Sequence, residues 1–133
     1  MPVMPARIVH IGIERGWAEV NALVSDPRRM PEWASGLASG LTQDGEDWVA
    51  DGGAIGEVRV RFAAPNDLGV MDHVVTMPDG TEVHNALRVT PNGDGAEVSF
   101  VLLKRLDMDD AAFAADAAHV TKDLQALKAL LEG

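Results

Sequence analysis

Residues 70–85 read VMDHVVTMPDGTEVHN, and the turn inside this stretch fixes the register of two strands. In Pro78-Asp79-Gly80, the first two residues suit the centre of a type I turn and the glycine suits the left-handed position that follows. A two-residue loop would instead set apolar residues against polar ones. The three-residue loop gives the cross-strand pairs Met77–Thr81, Val75–Val83, His73–Asn85 and Met71–Leu87. The sequence therefore predicts a hairpin with one dry face, on which His73 and Asn85 lie opposite each other.

The same alternation of apolar and polar residues continues on both sides of this hairpin. Gly93-Asp94 is a good two-residue hairpin loop, and it pairs Val89 with Val98, Leu87 with Phe100 and Asn85 with Leu102. The predicted strands are Val9–Ile13, Leu41–Gln43, Trp48–Ala50, Glu57–Phe62, Gly69–Met77, Thr81–Thr90 and Ala96–Leu103, with Asp44-Gly45 as the turn between the second and the third. Their dry face carries Val58, Val60, Phe62, Met71, Val75, Leu87, Val98 and Phe100.

Helical periodicity appears after the first strand and again at the end of the chain. An amphipathic helix is predicted from Trp17, and Asp26-Pro27 begins a second short one with proline at its first position. A longer helix of about 23 residues is predicted after the N-cap Asp109. Its apolar stripe is Phe113, Ala117, Val120, Leu124, Leu127 and Leu131. The expected fold is α+β, with seven antiparallel strands covered by the C-terminal helix.

Composition excludes several classes of function. The chain has 133 residues, a length that predicts a single domain over residues 1–133. Its net charge of −10 argues against nucleic-acid and anionic-membrane surfaces, and the absence of cysteine excludes disulfides and thiolate metal sites. Without a membrane-length apolar run or a signal-peptide pattern, the prediction is a cytoplasmic protein, monomeric or homodimeric.

Six segments together resemble the START-like (SRPBCC) superfamily, in its bacterial branch often labelled polyketide cyclase/dehydrase-like. They are Val20–Pro27, Pro31–Ala34, Val70–Thr81, Asn92–Val98, Phe113–Asp116 and Asp123–Lys128. The resemblance implies a helix-grip fold, in which a bent sheet wraps the last helix and encloses an apolar cavity. It is weakly specific for activity, because the superfamily includes carriers, cyclases and hydrolase-like members.

His73 and Asn85 are the candidate catalytic residues within such a cavity. The imidazole can exchange a proton near neutral pH, and the carboxamide can donate to a developing oxyanion. Alternatively, the two side chains hydrogen-bond each other and close a polar gap in the core. Trp33 is predicted either to stack on a ligand at the cavity mouth or to anchor the helix pair. The predicted lining of the ligand cavity is Trp33, Val58, Val60, Phe62, Met71, Val75, Leu87, Val98, Phe100, Phe113, Ala117 and Val120.

These residues support three functional hypotheses. The first is a protein that binds a small apolar or aromatic molecule, with His73 and Asn85 orienting one polar group. The second is a cyclase or dehydratase in which His73 is general acid/base and Asn85 polarises a carbonyl. The third is an interaction protein with a filled core. No metal or cofactor is predicted, since the spacing of His119 between Asp116 and Asp123 favours a salt-bridging helix face.

Overall fold

A computed structural model describes residues 3–133, and it confirms the predicted α+β fold. The strands are β1 (Ala6–Ile13), β2 (Thr42–Asp44), β3 (Asp47–Asp51), β4 (Glu57–Phe62), β5 (His73–Thr76), β6 (Glu82–Asn92) and β7 (Gly95–Leu103), and the helices are α1 (Trp17–Val24) and α2 (Asp110–Glu132). The seven strands form one antiparallel sheet in the order β1-β7-β6-β5-β4-β3-β2. Short 3₁₀ turns cover Pro27–Glu32, Ser35–Leu37 and Gly53–Ile55.

The turn at Pro78-Asp79-Gly80 forms as predicted. Met77 N donates to Thr81 O at 2.8 Å, and Gly80 N donates to Met77 O at 2.9 Å. Gly80 has a φ of +90°, in the left-handed region that glycine adopts without strain. Because this loop has three residues, β5 and β6 pair Val75 with Val83 and His73 with Asn85. The predicted register of the hairpin is confirmed.

The predicted strand Gly69–Met77 is wrong in length, because only His73–Thr76 is a regular strand. Met71 N still donates to Leu87 O at 2.8 Å, but Leu87 N donates to the Asp72 carboxylate at 3.1 Å rather than to Met71 O. The Arg88 guanidinium holds the same carboxylate at 2.7 Å and lowers the pKa of Asp72. Asp72 therefore interrupts the ladder without shifting its register, and it leaves the Met71 carbonyl free for another donor.

The turn between β2 and β3 is displaced by one residue from the prediction. Asp44 pairs with Asp47, so the loop is Gly45-Glu46 rather than Asp44-Gly45. Gly45 has a φ of +64° at the first central position, which is where a type II′ turn places glycine. The first strand is Thr42–Asp44 rather than Leu41–Gln43, and the second extends by one residue at each end, to Asp47–Asp51.

Strand β6 carries the bend of the sheet. Its residues 82–85 pair with β5 and its residues 86–92 pair with β7. The ladder between β6 and β7 ends at Ala86–Val101, so the predicted pair Asn85–Leu102 is not part of it. The start of β6 thus separates from β7 and bonds only to β5. Asn85 therefore lies at the point where β6 separates from β7.

The C-terminal helix begins and ends where the sequence predicts. Asp109 accepts a hydrogen bond from Ala112 N at 2.7 Å, which satisfies one of the free amides of the first turn. The helix runs for 23 residues. Its buried positions are Ala117, Val120, Leu124 and Leu127. Together with Val20, Leu23 and Val24 of α1, they form one core with the concave face of the sheet.

Candidate functional site

A cavity of about 380 Å³ lies between the sheet and the middle of α2. The 3₁₀ segments after α1 form a third wall. The sheet contributes Val58, Val60, Phe62, His73, Val75, Val83, Asn85, Leu87, Phe100 and Leu102, and α2 contributes Asp116, His119, Val120, Asp123 and Leu124. Because most of this lining is hydrocarbon, the cavity suits a molecule with a large apolar surface. A solidly filled core, which the third hypothesis requires, does not agree with this cavity.

His73, the first residue of β5, is held between two aromatic rings. Its ring centroid lies 5.4 Å from that of Phe62 and 6.0 Å from that of Phe100. His73 Nδ1 lies 3.0 Å from Met71 O, the carbonyl that Asp72 leaves free. A carbonyl can only accept, so Nδ1 carries the proton and donates. Burial lowers the pKa of His73, and the imidazole is therefore neutral at pH 7 with its lone pair on Nε2.

Asn85 faces that lone pair from the opposite strand. Its Nδ2 lies 3.4 Å from His73 Nε2, and the amide donates because the imidazole nitrogen can only accept. The contact expected between the two side chains is thus present, although it is long for a hydrogen bond. Both residues also line the cavity, so mutual bonding and a role in a site are compatible here.

The other residues expected to line the cavity fall into two groups. Trp33, Val58, Val60, Phe62, Val75, Leu87, Phe100 and Val120 lie along its wall. Met71, Val98 and Ala117 are buried in the core, and Phe113 packs against it, but none of these four borders the cavity. The pattern that placed them on the dry side identified the buried face but not which part of it is covered by neighbouring side chains.

Several lining residues were missed from the sequence. Met77 and Val83 lie on the dry face of the β5–β6 hairpin, and the predicted register already implied their position. Leu124 belongs to the predicted stripe of α2. Met30 and Leu37 lie in short 3₁₀ turns and Arg105 lies in a loop, and these segments are too short for periodicity to give a signal.

A polar cluster of Ser35, His119 and Asp123 lies beside this cavity. The Ser35 hydroxyl donates to Asp123 Oδ1 at 2.8 Å, and His119 Nε2 lies 3.2 Å from that hydroxyl and 3.4 Å from Asp123 Oδ2. The same imidazole nitrogen faces both partners, and the serine proton points to the carboxylate. This geometry is not a nucleophilic triad, in which the two ring nitrogens serve different partners. Of the helix face predicted from Asp116, His119 and Asp123, the structure forms the contact between His119 and Asp123, while Asp116 makes no ion pair within residues 3–133.

Trp33 anchors the 3₁₀ segment to the core and is 5% exposed. Its indole Nε1 is the one fully buried side-chain N or O atom in residues 3–133 that has no hydrogen-bond partner. Buried hydrogen-bond donors in proteins usually have a partner, so this N–H is an exception.

A second, more open cleft of about 430 Å³ lies on the outer side of the sheet, where β6 separates from β7. Val74, His84, Ala86, Val101 and Leu103 line it. Phe62, His73 and Asn85 border both this cleft and the inner cavity. Val75 and Val74, neighbours in β5, therefore face two different spaces.

No group of three or more His, Asp or Glu side chains within residues 3–133 is arranged to hold a metal ion. Across the same range, no helix has both the length and the apolar character that a membrane span requires.

No protein-family model matches the chain, and no curated protein matches it in sequence. Solved structures do share its fold. DynU16, a protein in the dynemicin biosynthetic locus, aligns with a TM-score of 0.75 and 16% identity over 96% of this chain, which spans only 47% of DynU16. XoxI from Bacillus cereus aligns with a TM-score of 0.78 and 14% identity, over 98% of this chain and 99% of its own.

CalU16 from Micromonospora echinospora is a third neighbour, with a TM-score of 0.71 and 13% identity over 96% of this chain and 74% of its own. At such low identities the similarity shows the shared fold alone. It supports the predicted architecture of a bent sheet with one long C-terminal helix.

Proposed function

We propose that this protein binds a small, neutral, largely apolar or aromatic molecule in the inner cavity, and that His73 and Asn85 orient one polar group of it. The cavity itself carries the proposal, because a volume of about 380 Å³ bounded by hydrocarbon and bearing a few polar side chains is the usual form of a small-molecule site. DynU16 comes from a biosynthetic locus, a setting in which such binding would be useful.

The charges around the cavity favour a neutral molecule. Asp116 and Asp123 line it on the α2 side, whereas Arg105 is its one cationic lining residue other than histidine and is already bonded to Asp107 at 3.2 Å. The described interior thus offers no unpaired cation to an anionic group. A buried charge without a partner costs far more free energy than a buried hydroxyl.

A cyclase or dehydratase activity is the second candidate, favoured by one observation. His73 Nε2 carries a lone pair beside the cavity and could accept a proton from a bound molecule. Two features weaken this candidate: burial makes His73 a poorer base than usual, and an amide proton of Asn85 is engaged by His73 itself. Replacing His73 with alanine would abolish turnover in an enzyme and only weaken affinity in a binding protein.

The experiment is a binding titration of 2-naphthol, followed by fluorescence, with two variants of β5. Val75→Phe fills the inner cavity, and Val74→Phe adds the same side chain on the outer side. We expect Val75→Phe to weaken binding about tenfold or more, equivalent to about 1.4 kcal/mol, and Val74→Phe to leave it within about twofold.

Folding of both variants is checked by thermal unfolding, which makes Val74→Phe a matched control for the added bulk. Loss of binding in Val74→Phe alone would place the probe in the outer cleft and contradict the proposal. Absence of any saturable binding to the wild type would contradict it as well.

A further inference from the structure

We infer that the pair His73 and Asn85 selects a ligand that donates a hydrogen bond, such as an aromatic alcohol. Asn85 Oδ1 is the atom that accepts this hydrogen bond. This inference rests on the proposed function and specifies the chemical class of molecule bound. It follows from the direction of each hydrogen bond around His73.

The direction begins at Met71. Its carbonyl lies 3.0 Å from His73 Nδ1 and has only lone pairs to offer, so the Nδ1 proton is committed to it. Leu87 N, the ladder donor that would otherwise use this carbonyl, is taken by Asp72 at 3.1 Å. The backbone therefore fixes the tautomer of the imidazole, and Nε2 presents a lone pair to Asn85.

The tautomer in turn fixes the amide. Nδ2 of Asn85 lies 3.4 Å from Nε2, and a flipped amide would set its oxygen against that lone pair. Oδ1 consequently points away from His73. Asn85 Oδ1 accepts no hydrogen bond from any residue in 3–133. It is also not fully buried, because the only fully buried side-chain N or O atom without a partner in that range is Trp33 Nε1.

Asn85 borders the apolar inner cavity as well as the outer cleft. An unpaired acceptor presented to the inner cavity favours a ligand that donates a hydrogen bond and gains nothing from an ether. A hydroxyl or N–H placed at Oδ1 pairs both groups, whereas an alkylated oxygen at the same place leaves two acceptors facing each other. A carboxylate is disfavoured more strongly, since Asp116 and Asp123 line the same cavity. The expected order of affinity is alcohol, then ether, then carboxylate.

The test compares 2-naphthol, 2-methoxynaphthalene and 2-naphthoate at pH 7 by isothermal titration calorimetry. We expect the wild type to bind 2-naphthol about tenfold more tightly than 2-methoxynaphthalene, as one neutral hydrogen bond predicts. Binding of 2-naphthoate should be the weakest. Asn85→Leu removes Oδ1 but also frees the lone pair of His73 Nε2, which can itself accept a hydrogen bond from 2-naphthol. The ratio of the two neutral affinities is therefore expected to fall close to one only when both acceptors are removed.

The double variant His73→Leu/Asn85→Leu removes both acceptors and replaces both partners with apolar groups, which is often tolerated. Loss of discrimination is expected in it, whereas His73→Leu alone keeps Oδ1 and should keep the preference for 2-naphthol. Equal wild-type affinities for the two neutral probes, or discrimination that survives in the double variant, would overturn the inference and leave the proposed function standing. If neither neutral probe binds the wild type, the proposed function itself fails.

Discussion

Gly69→Ala is expected to destabilise the protein by at least about 3 kcal/mol. Gly69 has a φ of +78°, where an alanine is strained, and a Cβ built on it would lie 2.1 Å from Val89 O. That carbonyl has little freedom to move, because Trp17 Nε1 donates to it at 2.9 Å. Val89 N also donates to Gly69 O at 2.8 Å. A backbone shift that relieved the clash would therefore break the pairing between Gly69 and Val89.

Gly80→Ala is the matched control, to be compared with Gly69→Ala by denaturant unfolding. Its φ of +90° is similarly unfavourable, but nothing lies within 4 Å of the added Cβ. We expect it to cost about 1 kcal/mol, from backbone strain alone. Equal losses of free energy of unfolding in the two variants would show that the close contact at Gly69 is absent, and with it the tight pairing of residues 69–71 against β6.

Leu124→Ala and Leu127→Ala are each expected to cost about 2–5 kcal/mol of stability, but only the first should change ligand binding. Both side chains are buried on α2, with exposures of 1% and 0%. Leu124 lines the inner cavity, whereas Leu127 is part of the packed core and not of the lining. Truncating Leu124 removes wall contacts, which should weaken 2-naphthol binding about threefold to tenfold.

The two measurements are denaturant unfolding and the 2-naphthol titration, made on the same protein preparations. Leu127→Ala serves as the control for general loosening of the core. If it weakens binding as much as Leu124→Ala does, the loss reflects the stability of the fold and not the cavity wall, and the assignment of Leu124 to the site is wrong.

The register of the central hairpin was predictable because the turn chemistry of Pro78-Asp79-Gly80 allows only one pairing that keeps apolar residues on one face. From that register, the pairing of His73 with Asn85 followed directly. The length of β5 did not, because it depends on a side chain, Asp72, capturing an amide fifteen residues away. Such a contact leaves no periodic mark in the sequence.

The candidate site was predictable only as far as the dry face extends. Alternation identifies which residues are buried but not which of them remain uncovered, so Val98 and Ala117 were expected at the cavity and lie in the packed core. The rest of the boundary depends on the bend of β6 and on irregular segments around Leu37 and Arg105. Both are long-range consequences of packing, which local pattern does not contain.

The most direct measurement is a set of nuclear Overhauser effects between bound 2-naphthol and the methyl groups of the protein. The account predicts contacts from the naphthol ring to Val75, Val83, Leu87 and Val120, which line the inner cavity. Contacts confined to Val74 and Val101, in the outer cleft, would contradict it, as would the absence of any contact at a saturating probe concentration.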